Sequence, residues 1–297
     1  GMLKEALDSA LKQENFDDYE IIVVDNDADS INSVSKTEDL IKSYNDSKII
    51  YYKNDENLGI YGNWNRCLEL ARGKWYTMLH DDDLLLKDFL KEAISVLDKN
   101  SKISCLKVRH RILDQRAGSE KKQVKELLKN SRRKIWRYSE LDFLVANPIG
   151  GPVGIVIDRE KAMKLGGFNE VYYPASDYVF FTKYCMDHDV YYYNKVLCLY
   201  RVSKNESLNS GTMINSTKIH YDMINILRKK NSFRNFFFRD YSLYFSLNAL
   251  KEIKSFWKVN VEKEEVYFLG EDPRLNPFIA LIYTLFKNLW IFKRFIF

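Results

Sequence analysis

Cysteine and histidine are scarce in this sequence, and several common phosphate and metal signatures are missing. Its 297 residues include four of each. Cys67, Cys105, Cys185 and Cys198 lie far apart with no C-x-x-C pair, which excludes a zinc ribbon or a dithiol redox motif and leaves reduced, buried thiols in a cytosolic protein. His80, His110, His188 and His220 form no H-E-x-x-H, so a zinc hydrolase of that kind is excluded. No G-x-x-x-x-G-K-[ST] phosphate loop occurs, and no G-x-G-x-x-G follows the first visible strand. No short-period repeat is present, and the N-terminal pattern is an amphipathic helix rather than the apolar core of a signal peptide. A long uncharged run is absent too. The apolar C-terminus, 277–297, is interrupted by Lys287, Asn288, Lys293 and Arg294, so it reads as an interfacial helix or as a terminal helix packed on the protein's own core, not as a span.

What is present is the composition of a globular protein, 46% hydrophobic and 29% charged, with a length suited to one or two domains. The net charge of +5 is unevenly placed. Residues 107–137 contain twelve Lys or Arg against Asp114, Glu120 and Glu126, which reads as a basic insertion. Such a face suits anionic lipid, an anionic substrate or plain solvent; no recognition motif supports nucleic acid.

The spacing of Leu3, Ala6, Leu7, Ala10 and Leu11 predicts a helix over 2–13. Tyr19 to Asp25 then reads as a buried parallel strand with Asp25 at its carboxyl end. A helix over 33–45, a strand over 48–53, loop chemistry over 54–62 and a helix from Trp64 to Ala71 follow, closed by Arg72-Gly73. Lys74 to Leu79 is the third strand, and it runs directly into His80-Asp81-Asp82-Asp83. Farther on, 87–99 reads as a helix, 103–113 and 155–157 as strands, 159–165 and 175–184 as helices and 190–200 as a strand, with a helical region from about 216. Alternation of this kind implies an α/β fold with a mainly parallel central sheet, whose ligands sit outside the carboxyl ends of the strands. Three adjacent aspartates at that edge exceed what a helix dipole rewards, about 0.3–1 kcal/mol. A divalent cation on oxygen ligands is the stronger explanation. A calcium loop is excluded because Leu85 and Leu86 stand where its fifth-position Asp or Asn and its glycine would follow Asp81.

In order along the chain stand L-x-E-A-L-x-S-x-L-x-Q (3–13), Y-E-I-I-V-V-D-N (19–26), Asn57-x-Gly59, N-x-x-L-x-x-A-x-G-x-W (65–75), Asp81-Asp82-Asp83, G-G-F-N-E (166–170) and Ser176-Asp177-Tyr178. That order resembles the family 2 glycosyltransferases of GT-A fold over about residues 3–210. The resemblance implies a Rossmann-like sheet flanked by helices with a helical C-terminal extension. It divides the chain into a 1–215 catalytic domain, with a nucleotide-sugar half about 1–105 and an acceptor half about 140–215, and a helical 216–297 region for which membrane association is an expectation. It implies inverting transfer from a nucleotide diphosphate sugar, most often a UDP-sugar, to a saccharide or lipid-linked acceptor in surface polysaccharide or glycolipid synthesis at the cytoplasmic face of a membrane. Mn²⁺ or Mg²⁺ is the implied cofactor, with Asp81 and Asp83 as ligands. Asp25, Asn26, Asn57, Gly59, Asn65, Asp81, Asp82 and Arg201 match the nucleotide-sugar positions, and Asp177 the catalytic base. Two departures stand out. A histidine frequent in the family near residues 202–203 is replaced by Val202 and Ser203, and the usual first strand with its Pro-x-Tyr-Asn loop is not in this sequence. The latter raises a second expectation, a catalytically impaired GT-A protein serving as a binding or assembly partner.

Overall fold

The computed structural model describes residues 1–27, 34–115, 134–139, 142–143, 147–203 and 209–230, together with 281, 284 and 285. The basic stretch 116–133 and nearly all of 278–297 lie outside the described residues, so the expectations placed on them stay expectations. Two compact units are present. The first comprises Gly1–Arg137, Pro152–Glu170 and His188–Ser203, the second Tyr138–Gly151, Val171–Asp187 and Lys204–Phe297.

In the first unit, α1 (Met2–Leu11) is followed by β1 (Ile21–Asp25), α2 (Lys36–Lys42) and β2 (Ile49–Lys53). β1 and β2 pair in parallel in register, from Ile21 with Ile49 to Asp25 with Lys53. α3 (Gly59–Leu70) leads to the short strands β3 (Trp75–Tyr76) and β4 (Leu84–Leu85), then α4 (Phe89–Lys99), β5 (Cys105–Asp114) and β6 (Ile135–Arg137). β7 (Ile155–Asp158), α5 (Arg159–Lys164) and β8 (Val190–Val202) complete it. The larger sheet runs β3-β7-β5-β8-β4, with β6 also on β8. It is mixed. Its longest ladder, β5 on β8, is parallel, whereas the β7 pairings and those of β4 and β6 with β8 are antiparallel.

Burial explains this layering. Phe89, Ala93 and Leu97 recur every fourth residue along α4 and are buried with Leu85, Leu106, Val108, Val156, Tyr193 and Leu197 in one apolar cluster. The segment expected as a basic insertion begins inside this sheet: Lys107 is 1% exposed and donates from Nζ to the Val153 carbonyl. Long side chains on β5 account for part of the charge excess, and Arg109 donates to Asn194 Oδ1 at 3.0 Å.

Two local expectations change. α3 starts at Gly59 rather than Trp64, because Asn57 Oδ1 accepts the Gly59 N–H and Asn26 Oδ1 accepts the Leu58 N–H, supplying acceptors to a helix start that its own turns cannot satisfy. Gly59 stands there at φ 69°, a region costly for other residues. β3 is cut to two residues, and the leucines after the aspartates form β4 before α4 begins at Phe89.

α1 lies along β4 and satisfies its outer backbone. Ser9 Oγ accepts the Leu85 N–H (3.1 Å), Gln13 Oε1 accepts the Leu90 N–H (3.0 Å), and Gln13 Nε2 donates to the Leu86 carbonyl (3.1 Å). An edge strand is thereby covered rather than left open.

In the second unit, α6 (Ser176–Asp187) packs on α7 (Ser210–Lys230), with the Tyr178 and His220 rings 4.0 Å apart. α6 is buried on most of its surface, including Tyr178, Phe181 and Tyr184, and the Tyr178 hydroxyl donates to the Phe143 carbonyl at 2.9 Å.

Candidate active site

At the carboxyl end of β1, Asp25 is buried. Its Oδ2 accepts the Tyr51 hydroxyl at 2.8 Å and also the Ser35 hydroxyl, while Oδ1 accepts the Asp27 N–H at 3.1 Å. Burial, together with the Asp25 carboxylate, pushes the Tyr51 phenol up to about 12, so it stays a donor. Asn26 ties the loop after β1 to the loop between β2 and α3. Its amide nitrogen donates to Asn57 Oδ1 (2.9 Å), and its carbonyl oxygen accepts from Asn54 Nδ2 and the Leu58 N–H (2.9 Å each). Asn54 Nδ2 also reaches Asn63 Oδ1 on α3 at 3.0 Å. Asp25, Asn26, Asn57 and Gly59 are therefore brought together as one braced edge.

Asn65 is placed elsewhere on α3. Its amide makes a two-point contact with the Phe168 backbone, accepting the N–H at 2.8 Å and donating to the carbonyl at 2.7 Å. Gly167 stands at φ 67°, and a Cβ there would collide with the Asn65 side chain. The G-G-F turn is thus fastened to α3, with the Phe168 ring edge-on to Trp64 at 5.2 Å.

After β3 the chain makes a turn in which the Asp83 N–H reaches the His80 carbonyl at 3.3 Å. The turn separates the three aspartates. Asp81 is exposed, Asp82 half-buried and Asp83 0% exposed. Asp83 Oδ1 accepts the Arg201 N–H at 2.9 Å, and its Oδ2 sits 3.5 Å from His80 Nδ1, too far for a good hydrogen bond. The His80 ring stacks on Trp64, centroids 5.2 Å apart. Among the described residues, His80, Asp82 and Asp83 present ligand atoms within 4.8 Å of one another.

Asp81, expected as a ligand beside Asp83, is outside this group. It is exposed, whereas the group contains His80 and Asp82 with Asp83. His80, which the sequence reading did not single out, stands directly before the acids. Arg201, expected at the phosphates, is only 3% exposed and is turned under the acidic loop, donating to Asp82 O, Gln115 Oε1 and Glu5 Oε2.

The cluster has the chemistry of a cation site. Asp83 Oδ2 and His80 Nε2 are buried and have no hydrogen-bond partner, an arrangement that is costly unless something else binds there. Burial, and the neighbouring Asp83 charge, raise the Asp82 carboxyl above its ordinary range. A divalent cation held among His80, Asp82 and Asp83 would satisfy Asp83 Oδ2 and offset that repulsion. The donor set on offer is one imidazole nitrogen with carboxylate oxygens.

Asp177 belongs to the second unit, half-buried in the first turn of α6, where a helix favours negative charge.

Comparison with known proteins bears on this arrangement. A glucosyltransferase of Campylobacter jejuni, described as a GalNAc(5)-diNAcBac-PP-undecaprenol beta-1,3-glucosyltransferase, is 27% identical over 230 residues, covering 76% of this chain and 69% of that protein. S. aureus TarS 1–349, solved in complex with UDP, superposes with a TM-score of 0.57 at 17% identity, over 89% of this chain and 72% of that one. The Pyrobaculum calidifontis mannosyltransferase PcManGT, solved with GDP-Man and Mn²⁺, gives 0.54 at 16% identity over 98% and 80%. These neighbours carry the GT-A fold, and so does this chain. The braced β1 edge, α3 and the acidic turn all fall within residues 1–158, which match the model of glycosyl transferase family 2, and the chain is a glycosyltransferase belonging to that family.

Proposed function

We propose that this protein transfers a sugar, with inversion, from a nucleotide diphosphate sugar to an acceptor hydroxyl, and that His80, Asp82 and Asp83 hold Mn²⁺ for the donor diphosphate. The observation carrying this reading is the buried, unpartnered Asp83 Oδ2 in a group with His80 and Asp82 whose ligand atoms lie within 4.8 Å of one another. Bound there, the cation would neutralise charge on the leaving diphosphate. The chain's own residues do the rest. Asp25, kept in place by Tyr51, Ser35 and Asp27, with Asn26, forms the surface proposed for the base and ribose. Asn57 and Gly59 shape its rim, while Asn65 acts by positioning Phe168 beside Trp64. Asp177 is the proposed base, taking the acceptor proton as the hydroxyl attacks the anomeric carbon.

Relatives support the substrate classes. UDP is bound by one structural neighbour and GDP-Man by another, and the C. jejuni relative is named for a lipid-linked acceptor. We favour a UDP-sugar donor and a saccharide or lipid-linked acceptor in surface polysaccharide or glycolipid synthesis.

Thermal-shift measurements with UDP test the donor site. The parent protein should be stabilised by UDP plus Mn²⁺, and Asp83→Asn or Asp82→Asn should abolish the Mn²⁺-dependent part, whereas Asp81→Asn should retain most of it. Equal loss in all three variants would contradict the assignment. The basic 107–137 stretch and the apolar residues 278–297 are proposed to attach the protein peripherally to the inner face of a membrane. Truncation to 1–277 should lower co-sedimentation with anionic vesicles, and an unchanged bound fraction would refute the attachment.

A further inference from the structure

Arg201 is a long cation with almost no exposure at a position where a phosphate contact was expected. Its location follows from two ladders. β4 and β8 are antiparallel with Leu84 opposite Leu199, so extending that register sets Asp82 across from Arg201. β5 and β8 are parallel with Leu113 opposite Arg201, which brings Gln115 to its other side. Three groups then occupy the guanidinium: Nε donates to the Asp82 carbonyl at 2.6 Å, one terminal nitrogen to Gln115 Oε1 at 2.8 Å, and the other to Glu5 Oε2 at 2.6 Å. The backbone N–H of the same residue donates to Asp83 Oδ1 at 2.9 Å.

From this geometry we infer that Arg201 is a positioning residue for the metal-nucleotide site, acting through Asp82 and Asp83 rather than by touching phosphate. The inference rests on the cation reading above. By occupying Asp83 Oδ1, the Arg201 backbone leaves Oδ2 as the oxygen facing His80. By gripping the Asp82 carbonyl, the side chain sets the backbone from which the second carboxylate projects. A buried cation under three adjacent acids also offsets the repulsion that would spread them. Glu5 is its charge partner, with 56% of its side chain exposed, so α1 anchors the device from outside the turn.

The test separates metal binding from phosphate binding. Affinity for Mn²⁺ alone would be measured by electron paramagnetic resonance of the free ion, and affinity for UDP by calorimetry with Mn²⁺ and again in EDTA. Arg201→Met should weaken Mn²⁺ about 10-fold or more, as loss of an outer partner of a metal ligand does, while UDP affinity in EDTA stays within about two-fold of the parent. Arg201→Lys should not rescue, because one ammonium cannot span Asp82 O, Gln115 and Glu5 together. Should the Arg201 variants fail to fold, the Glu5→Gln/Gln115→Ala double variant, altered outside the acidic turn, should show the same selective loss at a few-fold level with its circular dichroism retained. Equal weakening of UDP with and without Mn²⁺ would mean a direct phosphate contact and overturn the inference, as would unchanged Mn²⁺ affinity in folded variants. A parent protein that binds no Mn²⁺ would overturn the proposed metal site and this inference with it, whereas a binding parent with unaffected variants would overturn the inference alone.

Discussion

Three adjacent aspartates carry the same formal charge but have three different environments. Asp81 faces water, Asp82 is half-buried, and Asp83 is enclosed between the Arg201 N–H and the His80 ring. A sequence pattern places such a run at a strand's end and cannot rank its members, because the ranking depends on a turn closed from His80 to Asp83 and on a strand 118 residues later. His80 is positioned in the same way for the role proposed for it, by stacking on Trp64 from α3. Its imidazole predicts a preference among ions. His80→Ala should weaken Mn²⁺ about 10-fold and Mg²⁺ much less, since Mg²⁺ prefers oxygen ligands. Titration of each ion, read by competition or calorimetry, checks this, and an equal loss for both would remove His80 from the ligand set.

At the scale of elements, α1 shows how one helical stripe serves several ends. Glu5 and Ser9, four apart, share one face of α1, and Gln13 follows just past its C-terminal cap. Glu5 reaches Arg201, Ser9 receives Leu85, and Gln13 receives Leu90 while donating to Leu86. The spacing was legible as a helix from its leucines and alanines, but nothing local tells that its polar residues complete an edge strand. Ser9→Ala leaves the Leu85 N–H without its acceptor and should cost about 1 kcal/mol, and Gln13→Ala, which removes bonds at two backbone sites, about 2 kcal/mol. Urea denaturation measures both. A change in neither midpoint would show that water replaces these side chains without loss. α3 teaches the converse lesson: its first turn reads as loop, with its glycines and asparagines, yet Asn26 and Asn57 receive the N–H groups of Leu58 and Gly59 and let the helix start early.

On the scale of the whole molecule, the acidic turn and the braced β1 edge belong to the first unit and Asp177 to the second. The proposed base is carried by α6, a helix whose Tyr178, Phe181 and Tyr184 are buried, so the Asp177 backbone is firmly held. Asp177→Asn keeps the side chain's shape and removes its proton acceptor. Transfer should fall by roughly 10²-fold or more, while Mn²⁺-dependent UDP binding is retained. Transfer within a few-fold of the parent would assign the base elsewhere.

The amino-acid sequence alone determined the α/β class, the helices with an apolar stripe and the strand end at which Asp25 stands, because periodicity and the switch from apolar to polar residues are local properties of the chain. Motif order carried the family. Tertiary structure decided the mixed pairing of the sheet, the burial of Lys107 and Arg201, the exclusion of Asp81 from the cluster and the inclusion of His80. Each of these depends on which strands become neighbours, and in a sheet a register shift of one residue turns a side chain from one face to the other.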